Sequence, residues 1–205
     1  MKNIGACLDN KLDMVGHVSS VSRACYFHLR NIGRVRSYLS PEAAATLVHS
    51  FISSKLDYHN SLLYGVPDYL IKRLQLIQNT AARIVSRTKR TEHITPVLIS
   101  LHWLPVRFRI IYKICLLTFK GLHCLAPQYI CDSIAVHVPS RSLRSSSQNM
   151  LATRRYQLEK AGARAFSVAA PKLWNELPIN LRFCLELDSF KSLLKTHLFK
   201  QAFNS

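Results

Sequence analysis

DYLIKRLQLIQNTAARIVSR (Asp68–Arg87) is the stretch on which the fold turns. Leu70, Leu74, Ile77, Ala81, Ile84 and Val85 recur at three- and four-residue intervals. At 100° per residue they line one side of a helix of about Asp68 to Arg87. Lys72, Gln75, Asn79, Arg83 and Arg87 project from the other side, giving an apolar back and a basic front. No acid accompanies the bases on that front, and it runs into RTKRTEH (Arg87–His93), which adds Lys89 and Arg90. A face built for solubility alone mixes the two signs, so the pattern points to phosphate contact rather than mere solvation.

The same period governs the flanks. A helix is predicted over about Val15–Ile32, with Val18, Val21, Cys25 and Leu29 as its inner stripe. The next has a written start: Ser40 as cap, Pro41 preset for the first turn, and Glu42 complementing the dipole ahead of Ala44, Leu47, Val48 and Phe51. LDYHNSLLYGVP then turns the chain. After Trp103, read as a core anchor, Pro105 introduces a helix of about Val106–Leu122. It carries Ile110, Ile114, Leu117 and Gly121 on one side and Arg109, Lys113 and Lys120 on another, with Arg107 in its first turn.

Beyond His137 the composition changes. VPSRSLRSSSQNM (Val138–Met150) reads as an exposed Ser/Arg-rich linker. ARAFSVAAPKLWNELP follows as a short helix broken at Pro171. A last helix carries Phe190, Leu193, Leu194, His197 and Leu198 on one side, with Asp188 or Ser189 as its cap. The expected fold is mainly α: a short strand remnant over 1–14, a helical bundle over 15–137, a linker over 138–150 and a smaller helical region over 151–205.

Composition narrows the function. Across 205 residues, 28 Lys and Arg face 11 Asp and Glu, a net charge of +17, which suggests a polyanionic partner, nucleic acid ahead of an anionic membrane. From Ser61 to His123 ten basic residues face two acids, so the excess centres on the helices just described. The longest apolar run, around Ile110–Phe119, is interrupted by Lys113 and is too short to span a bilayer. With no secretory pattern at the start, a nuclear or cytoplasmic, non-secreted location is expected.

The six cysteines then read as buried thiols rather than a disulfide framework. His123, Cys124, Cys131 and His137 lie close in sequence but lack a Cys-x-x-Cys pair, so no metal or other cofactor is expected. No Gly-rich phosphate loop, Gly-x-Ser-x-Gly or His-Glu-x-x-His occurs, and the acids are scattered with no adjacent pair to hold two divalent ions. The isolated chain is therefore not expected to be an enzyme.

One succession of motifs is more specific. IGACLDNKLDMVGHV, RSYLSPEAAATLVHSFISSKLDYHNSLLYGVP, LIKRLQLIQNTAARIV, HITPVLISLHWLPVRFRIIYKICLLTFKGLH, PSRSLRSSS and RAFSVAAPKLWNELP follow one another over nearly the entire chain. In this order they resemble the carboxyl-terminal part of the reverse transcriptase of LINE-type non-LTR retrotransposons, the jockey-like and related groups. The resemblance implies that Ile4, Gly5, Leu8 and Asp9 match the stretch closing the polymerase palm, with Ile4 where Leu is common. The chain would then begin after the active site, Met1 being an internal methionine or a predicted start, and the following helices would form a thumb and carboxyl-terminal region.

A thumb of that kind holds the backbones of an RNA template and growing DNA. The face geometry, rather than any family motif, nominates Lys72, Asn79, Arg83, Arg87, Lys89 and Arg90 as backbone contacts, then Arg107, Arg109, Lys113 and Lys120. The fingers, the palm carboxylates and the endonuclease of such elements have no counterpart here. The expected partners are RNA and RNA:DNA hybrid, with a further protein chain supplying a palm. The alternative is a host-adopted or decayed element-derived protein whose amphipathic helices bind another protein. Without a palm, Ile4 and Leu8 are expected to leave an exposed apolar edge.

Overall fold

The computed structural model describes residues 2–3, 5–7, 12–137, 148–157 and 162–203. Helix dominates, as the three- and four-residue periodicity required. The chain forms two compact units, Met1–Arg109 with Ala202–Ser205, and Ile110–Gln201.

The first unit opens on a hairpin of two-residue strands, β1 (Lys2–Asn3) and β2 (Ala6–Cys7), paired antiparallel with Asn3 opposite Ala6. Its turn needs Gly5, whose φ is +83° and whose missing Cβ leaves room for the Tyr58 ring. Ile4, Leu8 and Asp9 lie outside the described residues, and with them the expected apolar edge.

Helix α1 (Val15–Val35) runs one turn beyond its expected end and passes into a 3₁₀ turn, Arg36–Tyr38. Then α2 (Pro41–Val48), a π-helical turn (His49–Ser53) and α3 (Ser54–Asp57) form one nearly continuous rod. Its start is the one written in the sequence: the Ser40 side chain accepts from the Ala43 amide at 3.1 Å, with Pro41 in the first turn. Through a 3₁₀ turn at Asn60–Leu63 the chain reaches α4 (Asp68–Ser86), then α5 (Thr95–Ser100).

α4 packs along α1 and the α2 rod. Leu70, Leu74, Ile77, Ala81 and Val85 close on Val18, Cys25, Leu29 and Ile32 of α1 and on Ala44, Val48 and Ile52. At about 25 cal/mol per Å² of apolar surface, this burial is the main favourable term in the unit. The stripe is wider than expected, since Ile71 and Gln78 are also buried, while Leu76 stands exposed. Trp103 is buried, as expected of a core anchor, its ring edge-on to His49.

Helix α6 (Val106–Leu122) has the predicted bounds and continues from the first unit into the second. The second unit adds α7 (Gln128–Cys131), α8 (Phe166–Asn175), α9 (Ile179–Arg182) and α10 (Leu187–Phe203). Phe119 of α6 stacks on Phe190 of α10 at 4.3 Å between centroids, with Trp174 of α8 behind it. An isolated bridge joins Val136 to Leu151, and Asn175 clamps Leu151 through both its amide and its carbonyl, at 2.8 and 2.9 Å.

Those contacts explain a departure from the expected boundary. The Ser/Arg-rich stretch was to separate two domains, yet residues on either side of it pack into one unit, and the division between units falls at Arg109–Ile110. Residues 138–147 of the stretch lie outside the described part. Gln148 and Asn149 accept from Arg182 and Trp174 at 2.7 and 3.0 Å.

Three further features depart from expectation. Pro171 does not break its helix: α8 continues through it, because the buried Leu173 and Trp174 one turn on outweigh a local cost of about 3 kcal/mol. α10 starts two or three residues earlier than either cap implies, so Asp188 and Ser189 sit in its first turn. Glu186 occupies the flanking position, its backbone oxygen accepting from Phe190. Leu193 is exposed, because the buried side narrows to Phe190, Leu194 and Leu198.

Candidate nucleic-acid interface

The basic front of α4 divides into cations held by the protein and cations left in solvent. Arg83 is held: its guanidinium donates to the Lys89 and Glu92 carbonyls at 2.7 and 2.9 Å, folding the loop after α4 back on the helix. Arg87 is held as well. It takes the left-handed conformation that ends α4, at φ 57°, and donates to the Arg36 carbonyl at 3.2 Å.

Beneath this end of the helix lies a residue that the face geometry missed. Arg36 is buried and donates to the Ile84, Leu39 and Val85 carbonyls at 2.6, 2.8 and 2.8 Å. It satisfies acceptors that α4 cannot satisfy itself and sets a positive charge at the negative end of the dipole. No periodicity announces such a role, because the partners are carbonyls about 50 residues away in sequence. Arg182 plays a similar part in the second unit, donating to the Gln148 carbonyl and contacting the Met150 sulfur.

The middle of the front is structural too. Gln75 donates to Asn79 at 2.8 Å and accepts from the Val106 amide at 2.8 Å, so the pair caps the first turn of α6. Gln78 donates to the Leu104 carbonyl just before it. Asn79 thus orients Gln75. Arg73, which the sequence reading did not nominate, bonds the Ser19 hydroxyl of α1.

Arg107 and Arg109 are not unpaired cations. Asp68 pairs with Arg107 across an exposed contact, and Asp57 receives a two-pronged grip from the half-buried Arg109. The expectation of a front without acids therefore fails at Asp68, the first residue of α4, which lies on the same arc as Lys72 and Asn79 and pairs with Arg107, and again at Asp57 of α3, which holds Arg109. In the second unit Lys113 is exposed and Lys120 half-buried.

Lys72, Lys89 and Arg90 remain exposed. Among the described residues, ion pairs form at Arg107–Asp68, Arg109–Asp57 and Lys191–Asp188, and none reaches these three. Tyr69 and Leu76 are exposed on the same helix.

The thiols and imidazoles offer no metal cage. Among the described residues no three His, Cys, Asp or Glu gather closely enough to hold an ion. His123 lies tilted against Phe119, Cys131 leans on the Ala126 carbonyl, and Cys124 is exposed. Burial pushes the thiol of Cys25 up to about 11 and that of Cys115 up to about 12, which leaves both inert. No helix among the described residues is long and apolar enough to cross a membrane.

Compared with protein-family models, curated proteins and solved structures, the chain matches none.

Proposed function

We propose that this chain is a thumb-like, carboxyl-terminal fragment of a LINE-type retrotransposon reverse transcriptase, binding the backbones of RNA template and DNA primer without catalysing their extension. The reading rests on the ordered motifs quoted above. The observation that carries the binding is the trio Lys72, Lys89 and Arg90, exposed on α4 and its following loop; among the described residues no ion pair reaches their side chains, the nearby Glu92 carboxylate accepting from the Lys89 backbone amide instead. Arg83 and Arg87 contribute indirectly, by folding that loop against the helix.

Charge presented in this way meets phosphates and no base edges, so binding is sequence-independent and salt-sensitive. Polymerisation would require paired carboxylates that these 205 residues do not supply, their acids being scattered with no adjacent pair to hold divalent ions. The alternative, helix-mediated protein binding, draws on the exposed Tyr69 and Leu76.

Fluorescence anisotropy with two RNA:DNA hybrids of unrelated sequence tests the proposal. The parent should bind both within about twofold, and K72E/K89E/R90E should lose about tenfold or more on each. Loss of binding in Tyr69→Ser/Leu76→Ser, with the charge variant unaffected, would instead favour the apolar face.

A further inference from the structure

The outer face of α1 carries a pattern that the thumb reading does not use. Arg23, Phe27, Arg30 and Arg34 occur at i, i+4, i+7 and i+11, which places all four within about 60° of arc. Directly opposite lie Val18, Cys25, Leu29 and Ile32, the residues α1 buries. The four outer residues are all exposed, Phe27 at 62%.

An isolated exposed phenylalanine needs no explanation, but this one belongs to a row. Its ring meets His28 in a T-shaped contact at 5.4 Å, and most of its surface remains exposed. His28 in turn stacks on Phe51 at 4.8 Å, and Phe51 is itself exposed. Phe51 sits in the π-helical turn His49–Ser53, a distortion of the kind that often accompanies functional sites.

Charge decides what would cover such a row. From Met14 to Pro41 the sequence contains no Asp or Glu, and none of the ion pairs among the described residues involves α1. A protein partner would have to bring its own acids, whereas a nucleic-acid strand brings both a phosphate for each guanidinium and a flat ring for the phenyl face. Exposed aromatic rings set between arginines are what single strands bind, because unpaired bases have faces to offer and duplex bases do not.

The dimensions agree. Arg23 to Arg34 covers about 16 Å of helix axis at 1.5 Å per residue, about five nucleotides of stacked strand at about 3.4 Å each.

We propose that this face of α1 is a binding site for single-stranded nucleic acid, with Phe27 stacking on an unpaired base and Arg23, Arg30 and Arg34 holding the flanking phosphates. The site is independent of the α4 cations and does not require the thumb reading.

The test uses the full chain and unstructured ten-nucleotide RNA and DNA strands of one sequence, each with a central 2-aminopurine. The parent should bind and quench the 2-aminopurine. Phe27→Ala should weaken binding about tenfold and abolish the quench, whereas Phe27→Trp should restore both. R30Q/R34Q should lower the dependence of log K on log salt by about 1.4, at about 0.7 per phosphate contact.

Phe27 lies outside the core, so Phe27→Ala should melt with the parent. K72E/K89E/R90E should bind these strands as the parent does. Hybrid binding that fails while single-strand binding still depends on Phe27 would overturn the thumb reading and leave this one standing. Failure of the parent to bind either strand, or binding by Phe27→Ala within twofold of it, overturns this one. A preference for RNA over DNA would identify the 2′-hydroxyl as a further contact and uphold the site.

Discussion

Arg36→Met removes three charge-assisted hydrogen bonds while keeping most of the side chain's apolar stem. The guanidinium reaches the Ile84, Val85 and Leu39 carbonyls at 2.6–2.8 Å from a buried position, and two of these acceptors belong to the last turn of α4. A buried acceptor left without its donor costs about 1–3 kcal/mol. Relaxation and water entry keep the three from adding fully, so the variant should lose about 3–5 kcal/mol. In a unit of this size that corresponds to a fall in Tm of about 15–30 °C, against a typical total stability of about 5–15 kcal/mol. Arg36→Lys keeps the charge at the helix end but offers a single point donor, and should lose about half as much.

Urea unfolding read by Trp103 fluorescence, in a Trp174→Phe background, isolates the first unit. A loss below about 1 kcal/mol for Arg36→Met, or equal losses for Met and Lys, would refute the reasoning, because the carbonyls would then be satisfied without the fork.

Other outcomes follow from the same structure. Asp57→Asn should cost about 1–2 kcal/mol, since it weakens the half-buried grip of Arg109, whereas Asp68→Asn, at an exposed pair, should cost under about 1 kcal/mol; thermal melts compare them. Burial, with a smaller contribution from His59, holds His17 below the usual histidine range. The unfolded chain therefore binds the extra proton, and stability present above pH ~6.5 should decline as pH falls below it, a slope that His17→Gln should reduce in urea titrations at pH 5–7.5. Ser40→Ala should cost about 1 kcal/mol through the lost cap. The same change should let the Glu42 carboxyl, held low by its own backbone amide and by Ser40, return toward the usual range, as a carboxylate NMR titration would record. In the native protein at pH 8 a thiol reagent should modify Cys124 and spare Cys25 and Cys115 until denaturant is added.

What could be read from the sequence was what is decided locally. Ser40, Pro41 and Glu42 write a helix start within three residues, Pro105 marks the beginning of α6, and the stripe of α4 follows from its own spacing. What a helical projection could not show is which side chains the fold itself engages. Arg83 and Arg87 look free on a helical projection, but their acceptors lie on the following loop and on the end of α1. Asp57 and Asp68 look unrelated to Arg109 and Arg107 until the helices pack. Pro171 carries a strong local signal for breaking a helix, and burial two and three residues later outweighs it. The arginine and phenylalanine row of α1 was legible at the same period as α4; it emerges only when the outer face is read as well as the inner one.

The salt dependence of RNA:DNA hybrid binding tests the central proposal most directly. With Lys72, Lys89 and Arg90 each neutralising a phosphate, the plot of log K against log salt should be steep. In K72E/K89E/R90E it should flatten by about 2.7, at about 0.9 per contact, with the fold unchanged by circular dichroism. Equal slopes for parent and variant, or no hybrid binding by the folded parent, would contradict the assignment of this face to a nucleic-acid backbone.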